Sequence, residues 1–116
     1  MTYQTNNIPT QVLIAQAPTT VGVSTVYTVP LKSRTLLQQI DVVNTGSATA
    51  TFDIYLVTQN GTAGTSNALF YQQTLQPKQN LQWQGQQVLD SQQTIQINGS
   101  TTGITMTISG ATYGYY

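Results

Sequence analysis

Apolar residues recur at every second position through most of this chain, and that period restricts its fold more than any other feature. Ile104, Met106 and Ile108 alternate with Thr105, Thr107 and Ser109, and Ile95 and Ile97 with Thr94, Gln96 and Asn98. Ala50, Phe52, Ile54 and Leu56 alternate with Thr51, Asp53 and Tyr55. Successive side chains of a strand point to opposite faces, so each such run predicts a strand with one buried face. Val21, Val23, Tyr27 and Val29 share a face with Thr25 between them, Leu69, Tyr71 and Leu75 share another, and Leu81 and Trp83 a further one. Leu36, Ile40 and Val42 form one more, with Gln38 out of step and marking a bulge, and Val12 and Ile14 begin a first strand. No segment carries a helical period, and β-branched residues dominate the runs.

Turn residues separate these runs. Pro30 ends one strand because proline cannot donate to a ladder. Asn44-Thr45-Gly46-Ser47 and Gln76-Pro77-Lys78 read as loops, and Asn60-Gly61 and Asn98-Gly99 as hairpin turns that favour positive φ. About eight short strands, spaced roughly ten residues apart, predict a single all-β antiparallel sandwich, Ig-like or jelly-roll-like. The 116 residues suit one domain. It divides into an N-terminal arm over residues 1–10, a sandwich over 11–110 and an aromatic tail over 111–116. There is no cysteine to staple it, so the core must hold it together.

Charge is scarce. Lys32, Arg34 and Lys78 stand against Asp41, Asp53 and Asp90, giving 5% charged residues and no net charge. Ordinary domains are about 25% charged, so the polar surface here is built from Gln, Thr, Asn and Ser. Without net charge there is little repulsion between copies, and association is favoured. Regular apolar spacing argues against a disordered Gln-rich tract. Three cations cannot neutralise a phosphate backbone, so nucleic acid is not an expected partner. No apolar run is long enough for a membrane-spanning helix, and Met1-Thr2-Tyr3-Gln4-Thr5 lacks the basic start of a secretion signal.

Catalytic chemistry has little to draw on. Histidine and cysteine are absent, which removes the usual bases, thiol nucleophiles and most metal ligands. No serine lies in a nucleophile elbow, and no Gly-rich phosphate loop occurs. The expectation is a non-enzymatic protein with no cofactor and no metal. One constellation is open: if the strands around Ile40 and Ile54 pair across Thr45–Thr49, Asp41 faces Asp53. That would make a calcium or two-carboxylate site, and placing the strands in different sheets abolishes it. Asn60 and Asn98 begin glycosylation-type triplets that read better as turns. Trp83 and Tyr71 read as core residues before sugar-binding ones, because the alternation puts aliphatic partners beside them. Tyr113, Tyr115 and Tyr116 follow the last strand and are the candidate interface residues.

The order of motifs resembles a known group. Thr25-Val26-Tyr27-Thr28-Val29-Pro30 precedes a basic turn and Thr35-Leu36-Leu37-Gln38-Gln39-Ile40-Asp41-Val42-Val43-Asn44-Thr45. Then come Tyr55-Leu56-Val57, a Gly-containing loop and Asn67-Ala68-Leu69-Phe70-Tyr71. Over residues 11–110 this resembles the small β-sandwich virion proteins of tailed bacteriophages. The resemblance implies a virion location and a role as capsid decoration protein, head fibre or tail accessory. It also implies capsid or tail proteins as partners and homo-oligomers, with a trimer favoured. A tail or baseplate module that binds cell-surface glycans is the alternative.

Overall fold

The computed structural model describes residues 12–114, which form eight strands. They are β1 (Val12–Pro18), β2 (Ser24–Thr28), β3 (Ser33–Asn44), β4 (Ala50–Val57), β5 (Ala68–Leu75), β6 (Asn80–Leu89), β7 (Thr94–Gly99) and β8 (Ile104–Gly114). One sheet runs β1-β8-β3-β6 and the other β2-β7-β4-β5, with antiparallel pairing throughout.

Each strand of the first half pairs with its counterpart from the second: β1 with β8, β2 with β7, β3 with β6 and β4 with β5. The chain is one long hairpin folded at β4–β5. Pairing of β3 with β8 and of β4 with β7 then rolls it into two layers. That is the jelly-roll arrangement, not the Ig one. Every connection except β4–β5 therefore crosses from one sheet to the other.

Inward-facing residues of both sheets fill the space between the layers. Ile40 and Val42 of β3, Ile54 of β4, Ile95 and Ile97 of β7, and Ile104 and Ile108 of β8 are all buried, as the alternation requires. Each large apolar side chain so buried stabilises the fold by roughly 1.5–3 kcal/mol. The Phe52 and Phe70 rings meet at 5.5 Å with 51° between their planes, joining β4 to β5 in the core. At one end the gap between the sheets is closed by hydroxyls. The Tyr27 hydroxyl meets Thr35 Oγ1 at 2.9 Å and Thr112 Oγ1 at 2.8 Å, and the two threonines meet each other at 2.9 Å. This ring of three hydroxyls ties β2 of one sheet to β3 and β8 of the other.

Several expectations change. The register of β3 shifts at Gln38, as its break in pattern predicts, but the shift puts Leu37, not Leu36, in the core beside Ile40. Gln38 Oε1 is buried there without a hydrogen-bond partner. Val21 and Val23 precede β2 and are exposed, and a bulge at Val26 brings both Val26 and Tyr27 against the core. Tyr71 is exposed, because a bulge at Gln72 breaks the parity between Leu69 and Leu75. Asn98-Gly99 is no hairpin: it ends β7, which pairs with β2 and β4, not with β8. Asn60 does adopt φ +62, but within a longer β4–β5 connection that ends in a 3-10 turn at Thr65–Asn67. Residues 111–114, expected in the tail, are the end of β8. The arm over 1–10 lies outside the described residues.

Candidate interaction surface

The two-carboxylate site does not form. Asp41 lies on β3 and Asp53 on β4, in different sheets. Asp41 accepts from Gln39 Nε2 at 3.2 Å and has Gln82 and Thr107 as its cross-strand neighbours. Asp53 is buried on the outer side of the second sheet and is fully engaged. The Gln72 backbone N–H donates to its Oδ1 at 2.5 Å, the Asn98 amide donates to Oδ2 at 2.9 Å, and the Tyr55 hydroxyl donates to the same carboxylate. The carboxylate thus holds the β5 bulge, where Gln72 takes φ +51, against β4. Asn98 also accepts from the Gly22 N–H, so its side chain is committed on both atoms. Among the described residues no three His, Cys, Asp or Glu side chains come together, and no cavity opens.

Burial pushes the Tyr55 hydroxyl above the ordinary phenol range, and the hydrogen bond to Asp53 and the negative charge of Asp53 push the same way. The folded protein holds this proton more tightly than the unfolded chain does. The stabilisation is therefore complete below pH 10.0 and is lost as pH rises through the folded-state value. Tyr55→Phe is expected to cost about 1 kcal/mol at neutral pH and to flatten the alkaline fall in stability. Urea melts from about pH 7 to 11 check this, and parallel wild-type and variant curves would refute it.

The remaining candidate lies on the outer face of the β1-β8-β3-β6 sheet. The strand alternation that turns Thr112 inward, into the ring of hydroxyls, turns Tyr113 outward, where it is 52% exposed. Its cross-strand neighbour is Arg34, and Arg34 Nε lies 3.5 Å from Asp90 Oδ1 at the end of β6. The next row across the sheet is Ala111, Leu36 and Val88, the last 62% exposed. Further along, the rows turn to Ser109, Gln39 and Gln84, and then to Thr107, Asp41 and Gln82. A Tyr, an Arg and three apolar side chains thus form one patch beside a neutral polar field, the composition of an interface centre with its rim. Pairing of β8 with β3 and the hydrogen bonds of the Thr112 hydroxyl hold the backbone that carries Tyr113. Tyr115 and Tyr116 lie outside the described residues. Of the residues in this patch, the sequence singled out Tyr113 alone. Leu36 and Val88 join it only because the bulge at Gln38 turns Leu36 outward. Of the two rings weighed as sugar platforms, Trp83 packs against the core and Tyr71 is exposed.

No protein-family model and no curated protein matches the chain. The arrangement of strands, in contrast, has a counterpart among solved structures. A chain in the structure of infectious bursal disease virus, Gx strain, superposes with a TM-score of 0.50 at 15% sequence identity. The likeness is one of fold. It covers 88% of this chain and 31% of that one, so the present chain spans about a third of its length. A chain from the Gt strain gives a TM-score of 0.42 at 12% identity, over 88% and 30% of the two chains. The likeness to the Gx-strain chain shows that a fold similar to this one occurs within a virus structure.

Proposed function

We propose that this protein is a non-enzymatic structural component of a virus particle and docks on that particle through the Tyr113 patch. The observation that carries the reading is the strand order, a complete jelly roll, in a chain whose fold is similar to part of the infectious bursal disease virus chain. Jelly rolls recur in viral capsid domains. The motif resemblance to tailed-phage virion proteins narrows the reading to a capsid decoration or head-fibre protein. A chain with only 5% charged residues supports it further. Contacts made by shape and neutral hydrogen bonds lose little to salt, which suits a particle exposed to changing media.

Jelly rolls also serve as lectins, and the exposed Tyr71 ring is the observation that keeps a glycan-binding tail or baseplate module as the second reading. Immunogold electron microscopy of virions of the encoding virus separates the two. Label spread over the head supports decoration, and label confined to the tail supports the second reading. Unlabelled particles would overturn the virion assignment. For the docking patch, Tyr113→Ser is the suitable variant. Truncation from Thr112 onward would also break the ring of hydroxyls at the end of the sandwich. Loss of an aromatic anchor of this kind costs on the order of 2 kcal/mol, about thirtyfold in affinity for the particle. Unchanged binding in a sedimentation assay would remove Tyr113 from the interface.

A further inference from the structure

The two sheets have four edges, and three of them are closed to further pairing. β1 is bulged at Ile14 and ends in Pro18, which has no N–H to donate. β2 is five residues long and bulged at Val26. β5 is bulged at Gln72, and the N–H at that bulge is taken by the Asp53 carboxylate. Short strands, proline and bulges are the ordinary protection of sheet edges. The fourth edge, β6, is the longest at ten residues and contains neither proline nor a charged residue. Its register shift against β3 falls at Gly85 and Gln86, leaving Asn80–Gln84 as a regular stretch that pairs on one side only among the described residues.

We propose that this stretch of β6 is a self-pairing edge, joining two copies of the chain antiparallel across a two-fold axis centred on Gln82. The proposal does not depend on the particle reading. Its basis is that the segment complements itself when reversed. With Gln82 opposite Gln82, Asn80 meets Gln84 and Leu81 meets Trp83. On the outer face every pair is then amide against amide, and an amide both donates and accepts, so identical side chains satisfy one another. On the inner face Leu81 and Trp83, each only partly buried by its own core, meet the same two residues of the second copy in reverse order and continue the apolar row.

The backbone is set for it too. The Asn44 N–H donates to the Gln79 carbonyl at 3.0 Å. Counting along the antiparallel ladder from there, the N–H and C=O of Asn80, Gln82 and Gln84 point away from β3, toward the open side. A chain with no net charge adds no repulsion between copies. Pairing would fuse two four-stranded sheets into one of eight strands, in an isologous contact that closes at two copies. A two-fold pair, and not a trimer, is the assembly this edge makes.

Sedimentation velocity from about 1 to 200 μM is the test, run on the full chain and on two exposed-site variants. Wild type is expected to dimerise, with Trp83, the chain's single tryptophan, shifting its emission to the blue as concentration rises. Gln82→Lys and Gln82→Asp each put like charges face to face and are expected to weaken pairing roughly tenfold or more. In the dilute monomer Asp41 is the cross-strand neighbour of this position, so Gln82→Lys should leave the thermal midpoint unchanged or slightly raised and Gln82→Asp slightly lowered, neither by enough to unfold an exposed edge. An equimolar mixture of the two variants should recover the dimer, with the lysine of one copy now facing the aspartate of the other. A monomeric wild type at the highest concentration would overturn the proposal. So would dimers that both variants leave intact, or a mixture that fails to re-pair.

Discussion

Replacing Gly110 with alanine is expected to cost about 3 kcal/mol or more, a large share of the roughly 5–15 kcal/mol that holds a domain together. A Cβ at this position would overlap the Leu36 carbonyl oxygen and sit 3.1 Å from its carbonyl carbon and 3.3 Å from Leu37 Cα. All three atoms are backbone, so no rotamer change relieves the overlap. β8 is held between β1 and β3, and Gly110 faces Leu37 beside the bulge at Gln38. Moving either strand would break the pairing that rolls the chain into two layers. Urea unfolding gives the comparison, with Gly64→Ala as control, since nothing lies within 4 Å of a Cβ there and its φ of −172 is ordinary extended backbone. The control is expected to change stability by less than about 0.5 kcal/mol. A similarly small effect at Gly110 would contradict the close approach of β8 to β3.

Asn44→Ala is the second large loss, at about 2–3 kcal/mol. Asn44 ends β3 and is fully buried at the corner where the chain leaves one sheet for the other. Its Nδ2 donates to the carbonyls of Ala48 at 2.8 Å and Leu75 at 3.1 Å, and its Oδ1 accepts from the Gly46 N–H at 3.0 Å. Its backbone joins the β5–β6 corner as well, donating to Gln79 and accepting from the Lys78 N–H. One residue therefore fixes two crossings. Alanine would leave the buried Leu75 carbonyl, the Ala48 carbonyl and the Gly46 N–H short of partners. Asn44→Asp keeps the acceptor but turns an anion toward both carbonyls, so it should be at least as destabilising. Denaturant midpoints of the two variants decide the matter, and a stable aspartate variant would refute this account of the corner.

Much of the fold was legible because the buried faces of β4, β7 and β8 keep strict parity. Ile95, Ile97, Ile104, Met106 and Ile108 could be placed inside from spacing alone. Parity failed wherever a bulge intervened. Gln38 announced its bulge, being a polar residue out of step, but which leucine it would bury depended on how β3 meets β6 and β8. The bulges at Val26 and Gln72 gave no such signal. Turn chemistry was legible only in part. Lys32, Lys78 and Gln92 take the left-handed φ values of the corners, positions that glycine or asparagine usually fills. Asn98-Gly99, the strongest such signal after Asn60-Gly61, lies in a strand. There Gly99 is needed because a Cβ would come within 2.6 Å of Thr19 side-chain atoms.

The Tyr113 patch was half legible. An aromatic residue after the last apolar run is visible in one dimension, whereas its neighbours Arg34, Leu36 and Val88 lie more than twenty positions away. The pairing of Asp41 with Asp53 failed for a related reason. A short loop between two strands suggests a hairpin, but the Asn44 corner spends that loop on a crossing between layers.

By itself the sequence determined the strand class, the buried faces of the regular strands, the absence of thiol and imidazole chemistry and the neutrality of the surface. Each depends only on residue type and local spacing, and a strand imposes its period on its own side chains wherever it goes. The tertiary structure alone decided that the chain is a jelly roll, which edge is left open, and what stands beside Tyr113. Those depend on which strands meet and in what register. Antiparallel pairing satisfies the same backbone groups whether the partner is the next strand or one from the far end of the chain. Only the joint packing of both layers selects between them.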